Sequence, residues 1–383
     1  MKKVLCILVC VVMVVAVIAG CSNNSTPAES SAAQESSAAP AESESAAASE
    51  SAAAPAGDKE APVVGISTGS SGTTFRDTMT QALKEVGDEY KASGRIKDYK
   101  IVDNATNGDA TEQANIIRDF ISQGVDIILL NPNSSDALNG VIKEAQDAGI
   151  LVLSYDGTCT ASDVVTVQVN PYDWNYKLVS FVAEQMPEGT AIDIYGLDGH
   201  PGNIQRLQAR DDVLKDYPGI EIVSETSGGW DQTVAKEAAA QIIASGVTPD
   251  IVFTQDSMAY GVLSAFKDQG KLPKIMVGEP GTAYFKLWKE LRDSGADFKS
   301  CAMPNPPGIS GTGFRVAVNL YEGKEFKDDA LQMVNDANTF FYEVQNFYTD
   351  ENFDEGWALL EDKPDDYMMT EYISEEDLQQ YFK

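Results

Sequence analysis

The chain has 383 residues and is strongly acidic, with 59 Asp and Glu against 28 Lys and Arg and a formal net charge of −31 at pH 7. The sequence has no basic stripe, so nucleic acid is excluded as an expected partner, and the acidity argues against long-range attraction of an anionic substrate. The length is sufficient for two lobes with separate hydrophobic cores.

The N-terminus has the pattern of a bacterial lipoprotein signal. Lys2 and Lys3 precede the apolar run VLCILVCVVMVVAVIA, which is followed by a small residue and then Cys21. The run has the length of a signal-peptide core and polar sequence follows it, so a transmembrane helix in the mature protein is not expected. We predict that residues 1–20 are removed and that Cys21 is acylated, which anchors the protein to the outer side of the cell membrane. The alternative is an ordinary signal peptide that happens to end in Cys.

Residues 21–60 form a low-complexity segment of mainly Ser, Ala, Glu, Pro and Gly without an aromatic residue. Such a segment cannot bury enough apolar surface to offset the entropy lost on ordering. We therefore predict a lipidated cysteine followed by a disordered tether, which lets the folded part, beginning near Ala61, stand clear of the membrane.

Between Ala61 and Asp156, short runs rich in β-branched residues alternate with amphipathic segments. Strands that are buried on both faces read as continuous apolar runs, so this alternation predicts successive βα units of a parallel sheet. The predicted strands span residues 61–68, 99–104, 125–131 and 150–156.

A second series of the same kind follows the segment ASDVVTVQVN. Because the pattern repeats, we predict an α/β fold with two doubly wound parallel-sheet lobes. In open α/β sheets the ligand lies beyond the carboxyl ends of the strands, so two facing lobes predict a binding cleft between them. The predicted strands of this series span 191–196, 220–225, 250–256 and 274–279, and the predicted helices span 203–215, 232–245 and 258–269.

Polar side chains follow several of the predicted strands. Asp156 ends one strand, Gln255 and Asp256 end another, and Glu279 ends a third. Carboxylates and amides form hydrogen bonds with vicinal hydroxyls, so these residues are candidate ligand contacts. For Asp156 and Asp256, capping of a following helix is an alternative that stays open.

Arginine and aromatic side chains complete the candidate site. Arg76 and Arg206 lie near predicted helix starts, where a planar guanidinium can contact neighbouring oxygens. Phe75 and Trp230 follow loops of small residues, where an aromatic ring can stack on the apolar face of a sugar ring. Trp174 lies at helical spacing and is expected to be a packing residue.

The segment GISTG at 65–69 matches the G-x-S-x-G pattern of serine hydrolases, but no enzyme is predicted. A serine nucleophile needs a general base, and the single histidine, His200, lies in a turn that leads into a helix, whereas Ser67 lies on the strand itself. No P-loop, dinucleotide fingerprint, calcium loop or cysteine–histidine cluster is found, so no cofactor and no metal is expected. Cys159 and Cys301 are expected to be free or buried thiols rather than a disulfide.

Several stretches together carry a resemblance to a known family. They are GTTFRDTM at 72–79, NGDATEQANIIRDFISQGVDIILLNPNSSDAL at 107–138, SYDG at 154–157, IYGLDGHPGNIQR at 194–206, FTQDSMAYGVLSAF at 253–266, VGEPGT at 277–282 and PNPPGISG at 304–311. Over residues 61–383 the chain resembles the type I periplasmic binding proteins, specifically the sugar-binding lipoproteins of ATP-driven importers that include the ribose and galactofuranose binders. It departs from that group at Phe75, which replaces the usual tryptophan, and at Glu279-Pro280, where ribose binders carry Phe-Asp.

The resemblance, together with the residue pattern, implies a sugar site built from both lobes. The implied ligand-binding residues are Phe75, Arg76, Asp156, Arg206, Trp230, Gln255, Asp256, Glu279 and Asn305. The resemblance also implies a hinge of three chain crossings near 167–169, 301–303 and 338–340. They would join a first lobe of 61–167 plus 303–338 to a second lobe of 168–302 plus 339–383.

The function implied by the resemblance is capture of a sugar, through an equilibrium between open and closed lobes that the bound sugar shifts towards closure. The implied partners are an ABC permease and its ATPase, and the protein itself is expected to be a monomer. A sensing role, in which the sugar complex is presented to a receptor kinase or chemoreceptor, is the alternative. Transcriptional repression is disfavoured because a signal peptide and tether stand where a DNA-binding helix-turn-helix would be.

Overall fold

The computed structural model describes residues 60–69, 71, 74–103, 109–334 and 336–383, apart from the side chain of Thr74. The predicted signal peptide and lipidation site, Cys21, lie outside these residues, as does the predicted tether up to residue 59. Within the described ranges, no helix combines the length and the apolar character needed to cross a membrane.

The described chain alternates strands and helices over most of its length. The strands are β1 (Val63–Thr68), β2 (Asp98–Asp103), β3 (Ile127–Leu130), β4 (Leu151–Tyr155), β5 (Val165–Gln168), β6 (Glu188–Tyr195), β7 (Gly219–Ser227), β8 (Ile251–Thr254), β9 (Ile275–Gly278), β10 (Lys299–Ala302), β11 (Gln332–Val334), β12 (Ala337–Phe341) and β13 (Tyr348–Thr349). The helices are α1 (Thr74–Ala92), α2 (Ala110–Gln123), α3 (Asn139–Asp147), α4 (Pro171–Gln185), α5 (Pro201–Leu214), α6 (Gln232–Ala244), α7 (Ala259–Asp268), α8 (Thr282–Asp293), α9 (Ile309–Tyr321), α10 (Phe353–Leu360) and α11 (Glu375–Leu378). Short 3-10 turns cover Asp256–Met258 and Gln379–Tyr381.

The strands form two sheets whose parallel cores have the same topology. The first sheet has the order β2-β1-β3-β4-β5 and the second has β7-β6-β8-β9-β10, so the strand order reverses at β1/β3 and at β6/β8. The first sheet continues with β12, parallel to β5, and with β11, antiparallel to β12, while β13 lies antiparallel to β10 at the edge of the second sheet. The prediction of two doubly wound parallel-sheet lobes is confirmed.

Alternate residues of the first sheet enter two separate cores. On β3, Ile127 and Leu129 pack on the face covered by α1 and α9, whereas Ile128 and Leu130 pack on the face covered by α2 and α3. All four side chains are fully buried, and burying each contributes roughly 1.5–3 kcal/mol relative to leaving it in water. This two-sided burial explains why the strands read as continuous apolar runs in the sequence.

Side-chain caps fix the starts of α4, the first helix of the second lobe, and of α6, which follows Trp230. The Asn170 side chain accepts hydrogen bonds from the backbone N–H groups of Tyr172 and Asp173, and Pro171 occupies the first position of α4. The Asp231 side chain accepts hydrogen bonds from the first turn of α6 in the same way. These caps satisfy N–H groups that have no partner inside the helix, so the helix starts, and the residues beside them, are held at defined positions.

The chain passes from one sheet to the other after β5, after β10 and after β12. β5 ends at Gln168 and β10 at Ala302, beside two of the predicted crossings. β12 belongs to the first sheet up to Phe341, so the third crossing follows that residue and lies later than the predicted 338–340. The exact borders of the two lobes otherwise stay a prediction.

The end of the chain returns to the first lobe. Residues 365–383, which we call the C-terminal strap, bond to the start of α8 in the second lobe through the backbone of Tyr367 and Met369. The strap then reaches the first lobe, where Ile373 donates its backbone N–H to Thr312 and Phe382 stacks on Phe326. The predicted assignment of all of 339–383 to the second lobe therefore has to be corrected, both for β12 and for the end of the strap.

Candidate ligand-binding site

The residues predicted to bind ligand follow the carboxyl ends of strands in both sheets. Parallel strands bring these ends to one edge of each sheet, which is the edge where open α/β sheets bind ligands. In the first lobe, Phe75 and Arg76 begin α1 after β1, and Asp156 follows β4. The second-lobe residues are Arg206 in α5 after β6, Trp230 after β7, Gln255 and Asp256 after β8, and Glu279 after β9, with Asn305 in the crossing after β10.

The first-lobe part of the site is an ion pair between Arg76 and Asp156. Arg76 Nη1 lies 2.8 Å from Asp156 Oδ2, and both side chains are mostly buried. Burial raises the pKa of Asp156, although the positive charge of Arg76 opposes the shift. The guanidinium of Arg76 also lies over the ring of Phe75, with 5.6 Å to the ring centroid. Arg76 and Phe75 thus form one wall next to the aspartate.

The second-lobe part is centred on Arg206, which is only 5% exposed. Its Nη1 forms an ion pair with Asp256 and also lies 3.4 Å from Gln255 Oε1. The guanidinium lies over two indole rings, 4.3 Å from the centroid of Trp174 and 5.7 Å from that of Trp230. Cation–π contacts of this kind, in a buried place, hold the guanidinium plane in a fixed orientation.

Gln255 acts as a support inside this cluster. Its Oε1 accepts a hydrogen bond from Trp230 Nε1 at 3.1 Å, and its Nε2 donates to Asn203 Oδ1 at 3.0 Å. Asn203 Oδ1 also accepts from the backbone N–H of Gly196 at 3.0 Å. Sequence reasoning missed Asn203, although its place three residues before Arg206 on the same helix was a usable signal. Direct contact of Gln255 with a ligand stays a prediction.

Three residues of the site have a left-handed backbone that side chains rarely adopt. The φ angles of Asp156, Trp230 and Asp256 are 56°, 57° and 50°. Such conformations cost of order 1–3 kcal/mol and persist where the surroundings hold them. Around Trp230 the packing is close, because a Cβ on Gly196 would lie 2.2 Å from the indole. The rings of His200 and Trp230 form a T-shaped pair with 4.8 Å between centroids.

Glu279 is the one acidic residue of the candidate site for which the described residues provide no ion pair. It is 6% exposed and accepts hydrogen bonds from the backbone N–H groups of Ala259 and Tyr260 at the start of α7. Burial, and to a lesser extent the charge of Asp256, raises the pKa of Glu279 from 4.5 to about 8. At neutral pH this carboxyl is therefore mainly protonated and can donate a hydrogen bond.

Buried polar atoms in the second-lobe cluster lack partners. Among the described residues, none forms a hydrogen bond with Arg206 Nε, Asp256 Oδ1 or Glu279 Oε2, although all three atoms are buried. An unsatisfied buried polar group costs about 1–3 kcal/mol, more if it is charged. A polar ligand can satisfy these atoms. The free Asp256 oxygen also does not favour the helix-capping role that the sequence left open.

The hinge touches the same cluster through Trp174. This side chain was expected to be a packing residue and it is buried, but its Nε1 also donates to the carbonyl of Pro304 at 2.9 Å. Pro304 lies in the crossing between β10 and α9, directly before the half-buried Asn305. The ring beneath Arg206 is thus bonded to the hinge, while ligand contact by Asn305 stays a prediction.

Ser67 and His200, the two residues of the hydrolase-like pattern, do not form a catalytic pair. Ser67 is buried and accepts a hydrogen bond from Gln113 Nε2 at 3.2 Å, in the first lobe. His200 lies in the second lobe, where its Nδ1 accepts from the backbone N–H of Gly202 as the cap of α5. Cys159 and Cys301 are buried and free. Within the described part of the chain, no group of three His, Cys, Asp or Glu side chains could hold a metal ion.

Residues 64–325 match the model of a family described as a periplasmic binding protein domain. The chain belongs to this family. The resemblance to type I periplasmic binding proteins that the sequence motifs indicated is thereby confirmed. Proteins of this family bind solutes and are not enzymes, which agrees with the prediction that this chain is not an enzyme.

Characterised periplasmic binding proteins resemble this chain over most of its folded part. The xylitol-binding protein of Mycolicibacterium smegmatis is 26% identical over 69% of this chain and 75% of its own length. The ribose import binding protein RbsB of Salmonella typhimurium is 25% identical over 68% of this chain and 90% of its own length. An ABC transporter solute binding protein from Thermobispora bispora, of known crystal structure, is 25% identical with a TM-score of 0.67, covering 83% of this chain and 94% of that one.

Substitution of Gly196 tests the position of Trp230. In Gly196→Ala the new methyl group would overlap the indole, so we expect Trp230 to move, its bond to Gln255 to break and the free energy of unfolding to fall by about 1–3 kcal/mol. Urea denaturation and the indole N–H resonance in a ¹⁵N–¹H NMR spectrum measure both effects. The control is Gly140→Ala in α3, where a Cβ meets no atom within 4 Å. Equal stability of the two variants with an unmoved indole resonance would contradict this packing.

The pH dependence of stability tests the protonated state of Glu279. Its pKa is raised in the folded protein, from 4.5 to about 8, so its protonated form supports folding at low pH and this support is lost as pH rises through about 8. We expect the wild type to lose stability relative to Glu279→Gln between about pH 5 and pH 8. Chemical denaturation at several pH values measures the difference. Glu184→Gln, at an exposed position of α4, should track the wild type throughout. A wild-type-to-Glu279→Gln difference that is constant with pH would show that the carboxyl titrates normally.

Proposed function

We propose that this chain is an extracytoplasmic solute-binding lipoprotein that captures an uncharged sugar or sugar alcohol between its lobes and delivers it to an ABC permease. The observation that carries the proposal is the set of unpartnered buried atoms that follow the strand ends of the second lobe: Arg206 Nε, Asp256 Oδ1 and Glu279 Oε2. They offer one donor, one acceptor and one group that can donate at neutral pH, and the donor, on Arg206, belongs to a guanidinium that lies over two indole rings. Vicinal hydroxyls on a ring or chain match this mixture.

The charges of the site support an uncharged ligand. Each arginine already has a carboxylate partner, Asp156 for Arg76 and Asp256 for Arg206. The remaining acid, Glu279, is mainly protonated at neutral pH because of its burial. The site therefore has no unpaired charge to offer a carboxylate, a phosphate or an ammonium group, and burying an unpaired ligand charge there would be costly.

Aromatic side chains on both sides support recognition of a sugar-like face. Trp230 from the second lobe and Phe75 from the first lobe are both half-buried. The C–H groups of a sugar ring can stack on such surfaces while its hydroxyls reach the polar atoms. A ligand that contacts both lobes binds the closed form better than the open form, so it shifts the equilibrium towards closure.

The named relatives favour import over the sensing alternative. Several are import binding proteins, for ribose in Bacillus subtilis and for D-apiose in Actinobacillus succinogenes, and another binds xylitol. By this analogy we infer a permease and an ATPase encoded apart from this chain as its partners, with the protein acting as a monomer. The lipobox pattern before Cys21 supports attachment to the outer side of the membrane, with residues 21–60 as the tether.

A ligand screen tests the proposed substrate class. A panel of xylitol, D-ribose, D-apiose and myo-inositol, with D-glucosamine, D-glucuronate, amino acids and nucleosides as competing classes, is added in a thermal-shift assay. A ligand at 100 times its dissociation constant stabilises the folded state by about 2.7 kcal/mol, so we expect a clear rise in melting temperature with at least one uncharged polyol. A response confined to amino acids, nucleosides or charged sugars would overturn the proposal.

Matched arginine variants tie that response to the site. Arg206→Lys keeps a positive charge beside Asp256 but loses Nε and the planar fork, so we expect at least a tenfold weaker affinity in calorimetric titration with the active polyol. Arg118→Lys changes an exposed arginine on α2, paired with Glu144, and should bind as the wild type does. Equal affinity of the two variants would show that the ligand does not contact Arg206.

Substitution of Cys21 tests the lipid anchor. We expect the wild type to fractionate with bacterial membranes and into the detergent phase of Triton X-114, because acyl chains contribute about 0.8 kcal/mol per buried CH₂ group. Cys21→Ser removes the acylated sulfur and should leave the protein in the aqueous phase, with sugar binding unchanged. Cys159→Ser, at a buried thiol of the folded part, should still partition with the membrane. Membrane association that survives Cys21→Ser would contradict lipidation at this residue.

A further inference from the structure

The C-terminal strap, residues 365–383, lies beyond the part of the chain that matches the family model, which ends at residue 325. It joins the two lobes a fourth time, in addition to the crossings after β5, β10 and β12. Neither the family match nor the motifs that predicted the fold explain why the chain should make this extra connection.

On the second lobe, the strap bonds to the corner that carries Glu279. The backbone N–H of Met369 donates to the carbonyl of Pro280 at 2.8 Å, and the backbone N–H of Thr282 donates to the carbonyl of Tyr367 at 3.0 Å. The N–H of Ala283 donates to the carbonyl of Asp365 at 3.2 Å. Because α8 has no side-chain cap, the strap supplies partners that its first N–H groups would otherwise lack.

At the hinge, the strap packs against two of the other crossings. The Glu371 carboxylate accepts hydrogen bonds from the hydroxyl of Tyr342 and the backbone N–H of Gln345, both at 3.1 Å, and from the side chain of Asn346. In the crossing before α9, a Cβ on Gly308 would lie 2.3 Å from the carbonyl oxygen of Glu371. The backbones are therefore in close contact, and the strap follows the hinge rather than passing over open solvent.

On the first lobe, the strap is anchored by the carboxylate of Glu375. It accepts a hydrogen bond from the hydroxyl of Tyr90, lies 3.0 Å from Arg95 Nη1 and 3.8 Å from Arg315 Nη1, and accepts from Asn319 Nδ2 at 3.2 Å. Charge-assisted bonds of this kind are stronger than neutral ones. Apolar contacts follow: Leu378 is fully buried, and Phe382 stacks on Phe326 at 4.7 Å.

We propose that the C-terminal strap is a positioning element of the ligand site, which fixes the Glu279 corner of the second lobe from its anchor at Glu375 on the first lobe and so restricts opening of the cleft. The proposal concerns the protein itself and holds whichever solute the cleft takes.

The length of the strap gives the physical reason. Only residues 370–371 separate Met369, which bonds to the second lobe, from Tyr372, whose hydroxyl donates to Glu85 in the first lobe. The three chain steps from Met369 to Tyr372 span at most about 3.3–3.6 Å each. The free length between the contacts is thus about 10 Å. Once this segment is fully extended, the lobes can separate further only if the contacts of the strap with one of the lobes break. Opening then carries a free energy cost that the three-crossing hinge alone does not impose, and the Glu279 corner loses its backbone partners when that happens.

Removal of the anchor tests this role without any ligand. Glu375→Ala deletes the anchoring carboxylate, while Arg95 and Arg315 keep their other partners, Glu322 and Glu89. We expect the radius of gyration of the ligand-free protein in X-ray scattering to rise. We also expect amide hydrogen exchange at Thr282 and Ala283 to become about tenfold faster, because a local opening that is easier by 1.4 kcal/mol exchanges ten times faster. Glu376→Ala, at an exposed neighbour in α11, is the matched control and should behave as the wild type does.

The exchange rates at Thr282 and Ala283 decide whether the strap acts on the second lobe. If Glu375→Ala loosens only residues 372–383, with exchange at Thr282 and Ala283 and the radius of gyration equal to those of the control, the strap merely packs on the first lobe. Should that variant fail to fold, Tyr90→Phe removes a single hydrogen bond to Glu375 and keeps the ring. It should give a smaller increase in the same exchange rates, and no increase would overturn the proposal. A failed sugar screen would leave both measurements unaffected.

Discussion

The second lobe is organised around one requirement, which is that the buried guanidinium of Arg206 must be paired. A cation in this position is stable only with a carboxylate, aromatic faces and hydrogen-bond acceptors around it. Asp256 supplies the charge, Trp174 and Trp230 supply the faces, and Gln255 links the cluster to Trp230. These residues come from three segments, after β5, after β7 and after β8, so pairing this cation fixes how the three segments converge. Arg206 Nε has no hydrogen-bond partner among the described residues, so it can donate to a solute.

The site combines this rigid cluster with a strained backbone. Asp156, Trp230 and Asp256 have left-handed φ angles. Asp156 follows β4 in the first lobe, and Asp256 follows β8 in the second. Burial is the main cause of the raised pKa of Asp156, and the charge of Asp256 in the other lobe adds a smaller contribution in the same direction. If closure brings these two carboxyls closer together, their mutual repulsion opposes it, although each is paired with its own arginine. A solute whose hydroxyls donate to both carboxylates would offset this repulsion, and its binding would then be linked to movement of the lobes.

Much of this arrangement could be predicted from the sequence because it rests on local patterns. Runs buried on both faces, such as IILL at 127–130, revealed the parallel strands, and the rule that ligands bind beyond strand ends placed Asp156, Asp256 and Glu279. What could not be predicted depends on contacts between distant segments. Trp174 was expected only to pack, because nothing local indicates that its Nε1 reaches Pro304. The strap escaped prediction because backbone groups form its bonds to α8, and backbone groups leave no sequence signature.

The position of β1 has a mechanical consequence. β1 is the first strand in the described part of the chain, yet it lies inside the sheet, paired with β2 on one side and, over Val64–Ser67, with β3 on the other. If residues 21–60 tether the protein as proposed, a pull from the membrane is applied at the start of β1, and the component of the force along the strand loads both of its neighbours. Both ladders of hydrogen bonds then resist the force in shear and have to break together, rather than one bond at a time as at a sheet edge. The first lobe therefore bears the force, and the second lobe is not loaded directly.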